Sequence, residues 1–484
     1  MFSSASTAED VVSSYLLDEF YGKKVFIDLN GLFARLTGRR TYNDTTLLRN
    51  GMLSSDKESI ETIADMQDIS NALTELSQKL QEIETPFLYV QVPYKMDLQE
   101  ELLPLGMKEL WNEQIDSLME SISDNHVMSL DLRHDLANTS EECEKYFYKT
   151  DSHWTPDGAF KAFQIIMSWM QNNSRAYIHS AYTSPEYWVR HEKPDWFLGN
   201  FGKRVGSCYG GVDSLIWYTP GFDTNMSCSI PNHREILCGD YFDAYIRKQY
   251  IEERNLYDYD PYCVYIGGNY PLYRLRNAFA PNQMRILMIQ DSFTLPLAPF
   301  FSSEFTQIDV IDPRYYTRSS IPEYCAQTQP DVVIMALSPA STTNGHYNTI
   351  GKGNAELFKE RKNLLTDYSI TIPAENSNYN YAEIPVDLTP GKEYIFTVDS
   401  LSLLSGEATG VSIMIYDFDN RSIISEEILS MDSIFFRGDN QVFFQIPKDA
   451  GTDINYKMLV YAGFMEKTQG VGIQYNGISV DELS

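Results

Sequence analysis

Between residues 285 and 337 three short apolar runs, RILMI (285–289), QIDVI (307–311) and DVVIMAL (331–337), are spaced by stretches long enough for one helix each. Runs of this length suit buried strands and are too short for buried helices. A strand, a crossover helix and a second strand make a parallel pair, and repetition of that unit makes an α/β sheet covered on both faces. PFLYVQV (86–92) and HVMSLDL (126–132) extend the pattern upstream. Between 55 and 83 the apolar positions Ile60, Ile63, Met66, Ile69, Leu73, Leu76, Leu80 and Ile83 recur at three and four, which predicts a long amphipathic helix. Ser55 with Glu58 offers a capping box at its start. A further helix is expected around 99–122, and KVFIDL (24–29) reads as one more strand.

The alternation lapses between about 172 and 284, where Tyr, Gly and Asp are frequent and periodicity is poor. An elaboration over one edge of the sheet is expected there. After about residue 366 the character changes to short strands: YSITIP, KEYIFTVDS, VSIMIYDF, SIFFRG, QVFFQIP, YKMLVYAG and VGIQYNGISV, broken by turns such as TPGK, FDNR and RGDN. Alternation is plain in Tyr394, Phe396, Val398 and in Val442, Phe444, Ile446. The pattern predicts a β-sandwich, either a structural cap or a sugar-binding module.

The formal net charge of −29, from 67 acidic and 38 basic residues, opposes binding to nucleic acid, and no basic cluster offsets it. The 33 Tyr, 25 Phe and 6 Trp suit either stacking on sugar rings or an aromatic core. No stretch approaches 18 apolar residues. The first 24 residues show neither a basic n-region nor an apolar h-region, so the expectation is a cytoplasmic protein or one whose export segment is absent from this chain. None of the six cysteines forms C-x-x-C or stands near a His at zinc-ligand spacing. Cys208, Cys228 and Cys238 are near enough in sequence to bridge in an exported protein; free buried thiols are the alternative.

Two segments carry candidate chemistry. In YKTDSHWTPDGAFKAF (148–163), Thr155 suits a helix N-cap and Pro156 the first helical position, with Phe160, Phe163, Met167 and Met170 following at helical spacing. Asp151 and His153 then stand just outside a helix N-terminus: a polar turn, or a base beside its orienting carboxylate. In RILMIQDSFTLPLAPFF, Gln290, Asp291 and Ser292 leave the carboxyl end of a strand and a helix follows. Ligand sites of open α/β sheets lie at those ends. A Ser there directs its own N–H and a helix N-terminus at a developing oxyanion, but needs a base and a carboxylate to become a nucleophile. Ser292 and His153 are 139 positions apart, so only the fold can unite them. Asp131 and His134 in LDLRHD are the rival pair; His126, His179, His191, His233 and His346 are scattered, without a His or Cys neighbour at metal-ligand spacing.

With these residues in view, QDSF resembles the G-D-S block of SGNH hydrolases. TDSHWTPDGA resembles the D-x-H-W segment of the AlgJ/AlgX alginate O-acetyltransferases and the wider DHHW group. As in that group, the Asp–His block precedes the Ser block, the reverse of the ordinary SGNH order. CVYIGGNYPLYRLRN (263–277), VIDPRYY (310–316) and QPDVVIMAL (329–337) also match, so the likeness covers roughly residues 20–350. It departs at Gln290, where SGNH enzymes usually have Gly, and at Ser152, where the DHHW pattern has its first His.

The resemblance implies an SGNH-hydrolase-like, mostly parallel α/β domain over 1–365 (elaborated at 172–284) and a β-sandwich over 366–484 of carbohydrate-binding-module type. It implies Ser292 as nucleophile, His153 as general base and Asp151 as its orienting acid. Gly268 and Asn269 would contribute to an oxyanion hole, a Gly-rich turn being the plainer reading. Trp154, Arg314 and Tyr315 would line the cleft, or else pack beneath it, pair with a carboxylate and fill a core. The expected function is an O-acetyltransferase or acetylesterase acting on a cell-surface or secreted polysaccharide, outside the cytoplasmic membrane. A membrane O-acyltransferase would deliver acetyl groups, and neither metal nor organic cofactor is implied. The alternative is a non-catalytic carbohydrate-binding protein on a degenerate SGNH scaffold, which Gln290 favours.

Overall fold

The computed structural model describes residues 22–55, 66–96, 98, 101–107, 110–353, 361–431, 441–447 and 454–483. Its centre is an eight-stranded sheet. In chain order the strands are β1 (Phe87–Gln91), β2 (Ser129–Asp131), β3 (Met226–Ile230), β4 (Glu235–Gly239), β5 (Leu272–Asn277), β6 (Asn282–Gln290), β7 (Phe305–Ile311) and β8 (Val332–Leu337). Across the sheet they run β2-β1-β8-β6-β7-β5-β3-β4. The first five are parallel, and β5, β3 and β4 add on antiparallel.

The parallel strands are apolar along their length because both faces are covered. Leu287, Ile289, Val333 and Met335 pack with helices α1 (Gln67–Glu82) and α2 (Trp111–Asp124) through Leu73, Leu76, Ile115 and Leu118. Ile286, Met288 and Ile334, one residue out of step, face the opposite layer, built on α3 (Pro156–Asn173) and α4 (Thr294–Phe301). Period-two alternation thus divides one apolar run between two cores.

Several expectations need correction. KVFIDL is part of a helix, Lys23–Leu36, entered from Gly22 in the left-handed region. Its apolar residues Val25, Leu29, Leu32 and Leu36 repeat at four and three, and a six-residue window is too short to show that. Ser55 ends a short strand, Leu53–Ser55, paired with Thr45–Leu47; Glu58, Ile60 and Ile63 lie outside the described residues, and α1 begins at Gln67. The helix expected from 99 begins at Trp111. The stretch 172–284 is more than cover over an edge, since it supplies β3, β4 and β5 as well as a hairpin, Trp188–Phe197 with Asp213–Pro220. All six cysteines are free. Among the described residues no helix is long and apolar enough to cross a membrane.

From Arg361 onward the chain forms two antiparallel sheets, one of five strands and one of four. They enclose a shared core that includes Tyr394, Phe396, Ile413, Phe444, Met458 and Val460. SIFFRG, expected as a strand, lies outside the described residues. The sandwich rests on the antiparallel edge of the first sheet through charges. Glu427, buried, accepts from Arg274 at 3.0 Å and from Arg318, and Glu426 accepts from Arg234 Nε at 2.9 Å.

Candidate active site

α3 begins where its sequence dictates. Thr155 caps it, its hydroxyl accepting the Gly158 N–H at 3.3 Å, and Pro156 takes the first turn. The preceding turn, residues 148–153, is fixed at almost every polar group. Asp213 accepts the N–H of Lys149 and of Thr150, each at 2.7 Å, and the Thr150 hydroxyl at 2.6 Å. Lys95, fully buried on the loop after β1, donates to the carbonyls of Tyr148 (3.3 Å) and Asp151. Asp151 is buried; its Oδ1 faces His153, and its Oδ2 accepts the Asn200 N–H at 2.7 Å. That approach needs Gly199, where a Cβ would stand 2.3 Å from Asp151 Cβ.

Ser292 sits in the turn between β6 and α4. Asp291, one residue earlier and buried, ties that turn down. Its Oδ1 accepts the Phe293 N–H at 2.9 Å, and its Oδ2 accepts the Ser338 N–H at 2.8 Å and the hydroxyls of Ser338 and Ser341 at 2.7 and 2.8 Å. From Ile286 to Phe305 every residue is buried except Ser292, so the turn presents one side chain to solvent. The Ser292 N–H meets no acceptor among the described residues, which leaves a donor for an oxyanion at the start of α4.

The fold unites the two segments. His153 Nδ1 lies 2.5 Å from Asp151 Oδ1, and Nε2 lies 2.7 Å from Ser292 Oγ. With Asp151 accepting the Nδ1–H, Nε2 is left to accept the serine proton. The imidazole is stacked on Tyr262, with ring centroids 3.9 Å apart and planes 16° apart, and touches Phe293 at 4.9 Å. Burial alone pushes the Asp151 carboxyl up; the charge and hydrogen bond of His153, with the N–H groups of Asn200 and His153, outweigh it and hold the carboxyl at about 2. It is therefore ionised at neutral pH.

Trp154 is fully buried beneath the pair, its indole N–H donating to the Phe293 carbonyl at 2.9 Å. Arg314 leaves β7 at the same edge of the sheet, and its guanidinium is held by Asp312 at 2.9 and 2.6 Å; Tyr315 beside it is exposed. Gly268, in the positive-φ region, and Asn269, exposed, precede β5 at that edge, two strands from Ser292. Among the described residues no hydrogen bond joins either to the His153–Ser292 pair. Gln290 ends β6 with its carbonyl accepting from Tyr347 at 2.8 Å and its side chain from Tyr273 at 3.2 Å, so it closes the strand and leaves the turn alone. The rival His134 is exposed and stands 3.9 Å from Asp131, which pairs more closely with Arg133 at 2.7 Å. Sequence reasoning missed Tyr262, Lys95, Asp213 and Asn200. Each acts on the site from a distant segment without a local motif, and the only signal was the charged Lys95 in the otherwise uncharged stretch VQVPYKM.

Residues 51–193 match the family profile for the SGNH hydrolase-like domain of the acetyltransferase AlgX. No curated protein matches the chain in sequence. Among solved structures, Bacillus cereus PatB1 with a sulfonyl adduct is 20% identical with a TM-score of 0.52, over 62% of this chain and 95% of that one. A DHHW family protein from Eubacterium siraeum is 17% identical with a TM-score of 0.48, over 64% and 99%. Pseudomonas aeruginosa AlgX is 12% identical with a TM-score of 0.38, over 92% and 96%. The matched stretch holds β1, β2, α3, Asp151 and His153, and Ser292 lies beyond it; the chain is similar there to the SGNH hydrolase-like acetyltransferase domain of AlgX.

Proposed function

We propose that the chain transfers acetyl groups to or from hydroxyls of a polysaccharide through an acyl-enzyme on Ser292. The observation that carries this is the contact of His153 Nε2 with Ser292 Oγ at 2.7 Å, with Asp151 on the other ring nitrogen. In this reading Ser292 Oγ attacks the acetyl carbonyl as its proton passes to Nε2. The tetrahedral oxyanion accepts from the Ser292 N–H, and the departing alkoxide takes the proton back from His153. A sugar hydroxyl then attacks the acetyl-serine, His153 receives its proton, and Ser292 Oγ leaves with that proton restored. With water in place of the sugar the same steps give an acetylesterase.

The SGNH-like part, taken as residues 1–365, would hold the chemistry. The β-sandwich, taken as 366–484, would hold polymer. The protein would work outside the cytoplasmic membrane, with acetyl delivered by a membrane O-acyltransferase. The fold likeness to PatB1, whose structure carries a sulfonyl adduct, supports a reactive nucleophile here and suggests the probe. An aryl sulfonyl fluoride is expected to add one label at Ser292, seen by peptide mass, and to abolish turnover of 4-nitrophenyl acetate. Ser292→Ala is expected to lower that turnover by a factor on the order of 10⁶. A serine-dependent rate that yields acetylated oligosaccharide identifies a transferase, and one indifferent to sugar identifies an esterase. Equal background rates in wild type and Ser292→Ala would sink both readings and favour a binding protein.

A further inference from the structure

The helix Lys23–Leu36 is turned the reverse way from an ordinary surface helix, whose apolar stripe faces inward. At about 100° per residue, Ile27, Asp28, Gly31 and Ala34 share one side, and that side meets the protein. Gly31 lies so close to the short helix Asn200–Val205 that a Cβ there would overlap the Val205 carbonyl. Ala34 clusters with Phe201, Val205 and Tyr209. Asp28 Oδ1 accepts the Ser207 N–H at 2.6 Å and the hydroxyls of Ser207 and Tyr257, each at 2.8 Å. Small and polar residues thus do most of the inward packing.

The opposite side carries the large apolar residues. Val25, Phe26, Leu29, Leu32, Phe33 and Leu36 fall within an arc of about 120°, and each is at least 40% exposed, Leu36 as much as 77%. The stripe runs the length of the helix, about 21 Å. An apolar patch this continuous marks a contact surface. Cations border it. Lys23 stands about 60° beyond Phe26 at one edge, and Arg35 about 60° beyond Leu32 at the other. Lys24, which pairs with Asp258 at 2.5 Å, and Arg39 and Arg40 stand at the two ends. All five are exposed. Residues 23–40 hold these five basic residues and one acidic residue, the inward Asp28, in a chain of formal net charge −29.

These features select among occupants. A second copy of the chain, stripe on stripe, would set these cations against their own kind. An apolar groove on another protein would answer the stripe and leave the cations along both its edges without a counterpart. A bilayer with anionic headgroups answers both: the rings and leucines enter the acyl boundary, and the Lys and Arg stems reach the phosphates on either side. We propose that the helix Lys23–Leu36 lies flat on an anionic lipid surface and docks the protein there. Docking does not depend on chemistry at Ser292. Its consequence is positional. The helix Asn200–Val205, pressed on Gly31, begins with the N–H that holds Asp151 Oδ2. The turn of Asp151 and His153 is therefore set off from the docked element by one short helix, about 9 Å long.

The test is flotation of the full chain with vesicles of phosphatidylcholine alone and of phosphatidylcholine mixed with phosphatidylglycerol. Wild type is expected to bind the anionic vesicles tenfold or more tightly than the neutral ones, and high salt is expected to weaken that binding. Phe26→Ser/Phe33→Ser and Arg39→Glu/Arg40→Glu, all at exposed positions, are each expected to weaken it tenfold or more with the melting temperature unchanged. Ser292→Ala leaves it in place. The proposal is overturned if anionic vesicles do not capture wild type, if neutral vesicles capture it equally, or if Phe26→Ser/Phe33→Ser floats as well as wild type. A wild type that sediments as a dimer, split by that double substitution while vesicles capture neither, would assign the stripe to a second copy and overturn the proposal as well.

Discussion

Lys95 and Asp213 hold one turn of chain from its two polar sides. Lys95 takes the carbonyls of Tyr148 and Asp151, and Asp213 takes the N–H groups between them, those of Lys149 and Thr150. Asp151 and His153 therefore leave a backbone that has little freedom to move. Lys95→Met removes one side of this grip and leaves two buried carbonyls short of a donor. The expected cost is about 2 kcal/mol in urea unfolding. Turnover of 4-nitrophenyl acetate should fall with little change in KM, since what is lost is alignment of the base.

Asp151→Asn keeps the shape of the site and removes the charge. By analogy with other serine enzymes turnover should drop by about 10⁴, because Asn permits the wrong imidazole tautomer. A second consequence concerns acid. The folded-state carboxyl lies at about 2, below its ordinary 3.8. Its contribution to stability is thus present above about pH 4 and is lost as pH falls through 2. Urea unfolding between pH 4 and pH 2 should show a steeper loss in wild type than in Asp151→Asn.

Glu304 reports in the opposite direction. It is fully buried, accepts the His179 N–H at 3.1 Å, and burial pushes its carboxyl up to about 8 from 4.5. The folded state then binds a proton more tightly than the unfolded chain. Stability from this group is fully present below about pH 4.5 and is lost as pH rises toward 8. Glu304→Gln should raise the melting temperature at pH 8 relative to wild type and change it little at pH 5, as followed by circular dichroism.

Glu427 links the sandwich to the first sheet by serving Arg274 and Arg318 together. Glu427→Gln takes from Arg318 the carboxylate it pairs with and weakens the pairing of Arg274, which keeps Asp309 at 3.9 Å, in a mostly buried setting. A destabilisation of about 2 kcal/mol or more follows. Differential scanning calorimetry is expected to resolve two transitions where wild type gives one.

The parts of the fold legible in sequence were those in which one local pattern sufficed. β6, β7 and β8 are apolar because both their faces are covered, and α3 announces itself by Thr155 and Pro156. β5 escaped notice because Arg274 and Arg276 interrupt it; both face Asp309, so a charged residue stands where an apolar one was sought. The likeness of two short segments put His153, Asp151 and Ser292 in one site, and the geometry sets them within hydrogen-bond reach. Tyr262, Lys95 and Asp213 stayed hidden because they act through space upon a turn that their own neighbours in sequence do not mark.

That Ser292 alone reaches solvent between Ile286 and Phe305 gives the protein a built-in gauge of its own integrity. On the proposed mechanism, an electrophile small enough to enter meets a hydroxyl activated by His153 only while β6, α4 and the turn before α3 are all in place. A slipped strand or a swung imidazole returns the same side chain to the dullness of any surface serine. On that mechanism the fraction of chains that take up a stoichiometric label would count native molecules, and its decay with heat or denaturant would time the loss of that one junction apart from the melting of the whole.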